Sequence, residues 1–256
     1  MRITVLGKSP SWQDAGGACS GYLVQEGDVA LLLDCGNGVF AKLRSHADYA
    51  AVTAVVISHL HADHLLDLVP YSYALTYGPR LAAGDGRPRL YAPPGGRAFF
   101  RRVVGAWGDE RLVENAFVLE EYATSDRLEV GPLRLRFQPV PHFTATNAIE
   151  VAGDGVRLTY GADHRPNEEL CAFAAGTDLL LMEATLPAPE AEGPRGHMTP
   201  REAGEHARRA GARRLVLTHI SDELDLEHAR REAEGAFGGA VDVAREGAVY
   251  DVAAGT

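Results

Sequence analysis

Lysine is almost missing from this sequence. Lys8 and Lys42 are the only two, so arginine supplies nearly all of the 25 basic side chains, set against 35 acidic ones. The formal charge of −10 argues against the broad basic surface that grips a nucleic-acid backbone, and leaves only a local patch for such a ligand. Cysteine is scarce as well. Cys19, Cys35 and Cys171 are odd in number, widely separated and without a CxxC pair, which fits reduced, buried thiols and not a disulfide framework. Cys35, coming after an apolar run and Asp34, reads as core packing. Long hydrophobic runs are also lacking: none approaches the roughly 20 residues of a membrane span. The opening Met1-Arg2-Ile3-Thr4-Val5-Leu6-Gly7 is too short an apolar run for a signal peptide and reads as a first strand. The expectation is a cytoplasmic chain with no membrane partner. Hydrophobic content of 46% and charged content of 23% over 256 residues suit a soluble globular fold with a substantial core. No linker divides the chain, so residues 1–256 read as a single domain.

What is present in abundance is histidine in one place. Ser58-His59-Leu60-His61-Ala62-Asp63-His64 gathers three imidazoles and a carboxylate directly after the apolar run 52–57. Neutral imidazole nitrogen and carboxylate oxygen are good ligands for Zn²⁺ and similar cations. In an extended exit from a strand, side chains alternate, so His59 and His61 face the same way and can share an ion. Asp63 and His64 fall where the strand gives way to a helix near Leu65, and a turn there re-aims them towards a second ion. The competing reading, a polar loop whose histidines cap a helix or face solvent, suits a lone histidine better than this cluster.

The apolar patterning predicts a hairpin over 23–24 and 29–33, a helix over 39–46, a strand over 52–57 and a helix over 65–77. Residues 84–88 read as a loop, 90–92 as a strand and 97–107 as an amphipathic helix. Strands follow over 116–121, 133–140, 148–151 and 156–160. A helix over 167–174, a strand over 179–182, a helix from Pro200 to about Ala210, a strand over 215–217, a helix over 226–235 and strands near Val241 and Val249 complete the chain. Groups of strands with helices between them suggest sheet layers flanked by helices.

Several apolar runs end in a potential ligand or acid–base group. The run 55–57 leads to His59, 137–141 to His142, 158–162 to Asp163, 179–182 to Glu183 and 215–218 to His219. Strands running in similar directions would gather these ends at one edge of the molecule. Each residue has a structural alternative as a turn or capping group, and His164 beside Asp163 leaves the choice of ligand there open. His197, in Gly196-His197-Met198-Thr199, is a further candidate, with a mobile-loop histidine as its structural alternative. His46, His206 and His228 read as helix-surface residues without a role.

The HxHxDH run from His59 to His64 resembles the signature of the metallo-β-lactamase superfamily. The resemblance spans nearly the whole chain, from Asp34-Cys35-Gly36 to Thr218-His219-Ile220-Ser221. Glu183-Ala184-Thr185, Gly196-His197-Met198-Thr199 and the closing Leu-Thr-His-Ile-Ser are most similar to the short-form, ribonuclease Z-like branch. The resemblance implies an α+β fold, a four-layer αβ/βα sandwich, with two metal ions, Zn²⁺ by preference and Mn²⁺ or Fe as alternatives. It implies that His59, His61 and His142 hold one ion, that Asp63, His64 and His219 hold the other, and that Asp163 bridges them. Glu183 and His197 match a glutamate and a histidine beside the scissile phosphate. Two departures stand out. Met182 occupies a position that is histidine in the branch, and the long tRNA-gripping arm is replaced by a short hairpin around Gly153-Asp154-Gly155.

The expected function is therefore a binuclear phosphodiesterase in which a metal-bridging hydroxide attacks phosphorus, Asp63 orients or deprotonates the water, and His197, oriented by Glu183, protonates the leaving alkoxide. An acidic, armless protein suits small phosphodiesters, such as a cyclic nucleotide or a short RNA end, better than extended nucleic acid. Two alternatives stay open: a lactone or thioester hydrolase using the same cleft, and a non-catalytic metal-dependent binding or carrier protein. A homodimer is expected by analogy only.

Overall fold

The apolar runs of this chain carry hydrophobic side chains on both faces, as strands covered on both sides must. In the run at 29–33 the side chains of Leu31 and Leu33 enter one core and that of Leu32 enters another, and in the run at 179–182 Leu179 and Leu181 part from Leu180 and Met182 in the same way. The computed structural model describes residues 1–79 and 86–253. Its first half forms β1 (Arg2–Gly7), β2 (Gly21–Glu26), β3 (Val29–Leu33), α1 (Val39–His46), β4 (Ala54–Val56), α2 (Ala62–Leu65), α3 (Leu68–Tyr77), β5 (Arg89–Ala92), α4 (Gly96–Gly105), α5 (Leu112–Ala116) and β6 (Val118–Glu121). Its second half forms β7 (Arg127–Val130), β8 (Leu133–Val140), β9 (Thr146–Gly153), β10 (Val156–Tyr160), α6 (Glu168–Phe173), β11 (Leu179–Glu183), α7 (Pro200–Ala210), β12 (Leu215–Thr218), α8 (Leu226–Phe237), β13 (Val241–Val243) and β14 (Val249–Asp251).

The strands make two seven-stranded sheets, ordered β14-β1-β2-β3-β4-β5-β6 and β13-β12-β11-β10-β9-β8-β7. Each sheet is antiparallel in one part and parallel in the other, β3 to β6 in the first and β10 to β13 in the second. The sheets face each other across a core that includes Tyr22, Leu31, Leu33, Leu133, Val151 and Tyr160. On the outer face of the first sheet, Leu32 and Val55 pack with Leu43 of α1, Tyr71 of α3, Phe100 of α4 and Val113 of α5. On that of the second, Leu180 and Leu217 pack with Leu170 of α6, Ala203 of α7 and Ala233 of α8. This is the expected four-layer α+β sandwich. Among the described residues no helix is long and apolar enough to cross a membrane.

The structure departs from the sequence reading in a few places. The helix expected over 65–77 is broken into α2 and α3 around Leu66-Asp67. Pro70 cannot donate to the carbonyl of Leu66, and its ring crowds that carbonyl in a continuous helix. Asp67 is also drawn out of a regular helix by tertiary bonds, its amide donating to the Cys35 carbonyl and its carboxylate accepting from the Phe40 amide at 2.8 Å. The strand expected over 116–121 begins only at Val118, because Leu112–Ala116 forms α5. Strand β7 was not anticipated: it pairs with one neighbour at a sheet edge and buries little except Val130, so its pattern is faint. Of the loop read at 84–88, residues 84 and 85 lie outside the described residues, and 86–88 carry neither helix nor strand.

Candidate metal centre

Parallel strands end at one edge of each sheet, and sharp turns there aim the side chains inward. Three of the non-glycine residues with left-handed backbone stand directly at these ends: Asp34 (φ 58°) after β3, Ala162 (φ 54°) after β10 and His219 (φ 48°) after β12. Such conformations cost on the order of 1–3 kcal/mol each and persist where surrounding contacts over-determine them. His219 illustrates this. Its carbonyl lies 2.9 Å from the Thr185 hydroxyl oxygen, and the next residue, Ile220, is bracketed by Lys8, whose carbonyl accepts the Ile220 amide and whose Nζ donates to the Ile220 carbonyl at 2.8 Å.

The histidine cluster folds as its sequence suggested. His59 lies just beyond β4, between bends at Ser58 and Leu60, His61 stands at the N-terminus of α2 in extended conformation, and the turn of α2 swings Asp63 and His64 to a neighbouring point. Two groups result. The ligating atoms of His59, His61, His142 and Asp163 lie within 4.8 Å of one another, as do those of Asp63, His64, Asp163 and His219. Asp163 is common to both. All seven residues named for metal binding thus come together, from both sheets.

Hydrogen bonds fix which nitrogen faces each group. His64 Nδ1 donates to Asp34 Oδ2 at 2.7 Å, and His142 Nδ1 donates to the Gly196 carbonyl at 2.8 Å. Ser58 Oγ spends its proton on Asp34 Oδ2, so it accepts from His59 Nδ1 at 3.0 Å. Thr185 Oγ1 spends its single proton on Glu183 Oε2 at 2.8 Å, and accepts from His219 Nδ1 at 2.7 Å. In the neutral form of each of these rings Nε2 is left with a lone pair turned towards the site. His59 Nε2 and His142 Nε2 lie 3.1 and 3.2 Å from the same atom, His61 Nδ1, which has a single proton at most to give. His64 Nε2 and His219 Nε2 face Asp163 Oδ2 at 3.3 and 3.2 Å. His64 Nε2 and Asp163 Oδ1 are buried without a hydrogen-bond partner. Lone pairs crowded against lone pairs and orphaned buried polar atoms are costly as they stand, and cations between them remove the conflict. The residues fit a pair of metal ions.

The electrostatics agree. Burial pushes His59, His61 and His142 below the ordinary histidine value in spite of Asp163, keeping them in the neutral form that ligates. At His64 burial opposes charge, but Asp163 and Asp34 outweigh it and raise the imidazole well above its usual range, so this position stabilises positive charge. Burial likewise opposes ionisation of Asp163, yet His219 and His64 hold it well below the carboxylate range. Asp63 is held far below that range, against burial, by His219 and His64.

Glu183 and His197 adjoin this centre. Glu183 ends β11 and is fully buried, with every lone-pair direction used: Oε1 accepts from the His164 amide at 2.8 Å and His197 Nδ1 at 3.0 Å, and Oε2 accepts from Thr185 Oγ1 and the Met198 amide. The His197 ring stands 5.0 Å from that of His142 and 5.4 Å from that of His219, centroid to centroid. Burial disfavours its charged form, but the hydrogen bond and charge of Glu183, with Asp163 and Asp63, raise it to about 9.

One choice left open, at His164, is decided, and one reading, of His206, is corrected. His164 turns away from the metal groups, its Nε2 3.1 Å from the Met182 sulfur, so Asp163 and not its neighbour faces the centre. His206 is not a helix-surface residue: it is buried, its Nε2 accepting from the Asn167 amide that begins α6. His46 and His228 are exposed as expected. Residues whose importance the sequence did not announce are Asp34, Ser58, Tyr160 and Thr185. Asp34 accepts from the Ser58 amide and hydroxyl, from His64 and from the Tyr160 hydroxyl at 2.9 Å, and so orients ligands of both groups. It had no local signal, because it is the parallel pairing of β3 with β4 that brings the residues after their ends side by side.

Fold and centre together define a member of the metallo-β-lactamase superfamily, and residues 30–220 match the family model for the beta-lactamase superfamily domain, so the chain belongs to that family. Among individual relatives, it is 30% identical to the probable metallo-hydrolase YhfI of Bacillus subtilis over 98% of this chain and all of that one. The crystal structure of that protein superposes with a TM-score of 0.88 at 29% identity, covering 97% of this chain and 98% of the other. A ribonuclease Z of Natronomonas pharaonis is 28% identical over 98% of both chains. The short form of human tRNase Z shares the fold, with a TM-score of 0.78 at 20% identity over 99% of this chain and all of the other.

Proposed function

We propose that this protein is a two-metal hydrolase of small phosphodiesters. The observation that carries the reading is the Glu183–His197 pair set against both ligand groups, because a protonated imidazole held there suits a leaving group that departs as an alkoxide. His59, His61 and His142 would hold one ion, Asp63, His64 and His219 the other, with Asp163 between them; Zn²⁺ suits the nitrogen-rich donors, with Mn²⁺ or Fe as alternatives. When bound, the ions supply a nucleophilic water at neutral pH and neutralise charge on the phosphoryl oxygens. Asp63, ionised and seated beside His219, orients the attacking water and takes up its proton. His197 carries a proton at neutral pH and delivers it to the leaving oxygen, while Glu183 fixes the ring and favours its charged form. The ribonuclease Z and metallo-hydrolase relatives support hydrolysis.

Substrate size is argued from the chain between His142 and Asp163. It holds only β9, a two-residue turn at Asp154-Gly155 with φ of 45° and 74°, and β10, a tight type I′ hairpin. No arm for a large folded RNA is built there, and the acidic composition agrees. The test is metal analysis of protein loaded with zinc or manganese, coupled to side-by-side turnover of bis(p-nitrophenyl) phosphate, cyclic nucleotides, lactones and thioesters. Two bound ions with turnover of the diesters is the expected result. Turnover of lactones or thioesters alone would move the protein to that ester class, and full metal content with no hydrolysis would make it a binding protein.

A further inference from the structure

An aromatic side chain at this centre has no part in holding metal. Phe143 follows His142 directly and is 54% exposed. Its ring centroid lies 5.0 Å from that of His142 and 6.0 Å from that of His197. Trp12, Tyr73, Tyr77 and Trp107 are also large and exposed, but among the described residues only Phe143 of these makes ring contacts with histidines of the centre.

Its position is also built. Gly196, whose carbonyl accepts from His142 Nδ1, lies under the Phe143 ring so closely that a Cβ at Gly196 would meet Phe143 Cε2 at 2.2 Å. Glycine there lets the ring lie down on the backbone just before His197. The phenyl group is thus backed by the His197 loop and edged by two histidines, while more than half of it faces solvent. A side chain left exposed in this way forgoes the roughly 25 cal/mol per Å² that burial would bring. A planar ligand laid on it recovers that term together with stacking.

We propose that Phe143 is the stacking platform for a nucleobase, which makes it the residue that selects a nucleotide over other phosphate esters at this centre. The inference rests on the phosphodiesterase reading and narrows it. His197 is the residue argued to protonate the leaving oxygen, so a ring stacked on Phe143 belongs to a substituent close to the scissile phosphate. A nucleobase, uncharged and planar, fits a phenyl face that carries no hydrogen-bonding group, whereas the phosphate is taken by the ligand groups beyond it.

The experiment is titration calorimetry of the metal-loaded protein with AMP and with ribose 5-phosphate, which differ in the base, on wild type, Phe143→Ala and Phe143→Trp. Wild type is expected to prefer AMP by about 5- to 100-fold, the range that base–aromatic stacking supplies. Phe143→Ala should erase the preference while leaving the ribose 5-phosphate affinity and the metal content unchanged, and Phe143→Trp should keep it. A wild type that binds neither ligand or does not discriminate overturns the platform. So does a Phe143→Ala variant that keeps the preference, or one that weakens both ligands equally. Turnover of bis(p-nitrophenyl) phosphate is measured alongside. If it is absent while the AMP preference follows Phe143, the diesterase reading fails and the platform stands.

Discussion

Nδ1 of His64 lies 2.7 Å from Oδ2 of Asp34, a residue thirty positions earlier in the chain. A carboxylate can only accept, so this contact commits the proton of His64 to Nδ1 and presents Nε2 to Asp63 and Asp163. Asp34→Asn puts an amide N–H within reach of Nδ1 and favours the opposite tautomer, which cannot ligate. The expected outcome is a loss of about 10- to 100-fold in affinity for one of two metal equivalents, the usual effect of removing the partner that orients a ligand. Competition with a chromophoric chelator reads it directly. Unchanged affinity for both equivalents would sink the assignment.

His59 and His219 belong to different ligand groups. His59→Ala and His219→Ala should each retain a folded protein and reduce bound metal, and mass spectrometric metal analysis with circular dichroism checks both. Retention of the full metal complement in either variant would remove that residue from the ligand set.

His197 and Glu183 are expected to separate in their effects. His197→Ala removes a proton donor that lies outside the seven assigned ligands, so turnover should fall by about 10²- to 10⁴-fold with metal content intact. Glu183 also accepts from Thr185, which in turn holds His219 Nδ1. Glu183→Gln should therefore slow turnover and also loosen metal. Equal metal affinity in the two variants would contradict the link through Thr185.

Glu202 ties the His197 loop to α7. It accepts from the amide and hydroxyl of Thr199, closing the capping box of that helix, and it pairs with Arg195, whose Nε donates to the His197 carbonyl at 3.1 Å. Burial raises its carboxyl pKa, but Arg195 and Thr199 outweigh burial and leave it below the ordinary 4.5. A depressed folded value means that the stabilisation is complete above about 4.5 and is lost as pH falls through the folded value. Glu202→Gln should cost on the order of 1 kcal/mol at neutral pH, as loss of a part-buried hydrogen bond to a charged group does, and the gap from wild type should narrow as pH falls below about 4.5. Thermal melts across pH 3 to 7 measure it. A gap that stays constant to pH 3 would show that the charge on Glu202 contributes nothing.

Much of the centre was legible because it depends on strand ends. A ligand that follows an apolar run is visible in one dimension, and this brought out His59, His142, Asp163, Glu183 and His219 alike. The spacing of His59 and His61 and the turn at Asp63-His64 were readable for the same reason, since both are local geometry. Asp34 and Thr185 were not readable as orienting groups, because their partners are fixed by the pairing of β3 with β4 and of β11 with β12. His206 looked exposed on a helix and is buried because the start of α6 docks on it. The break between α2 and α3 had a local cue in Pro70, but the bonds of Asp67 to Cys35 and Phe40 come from distant chain.

The division of the seven ligands between the two sheets has a consequence for how the molecule could be taken apart. His59, His61, Asp63 and His64 come from the chain before β7, whereas His142, Asp163 and His219 come from the chain after β6. A break at the exposed Thr124-Ser125 turn would leave two fragments with incomplete, complementary donor sets. Metal capture by the complete donor set would then report reunion of the fragments, making the centre an internal sensor of whether the two pieces of the chain have met.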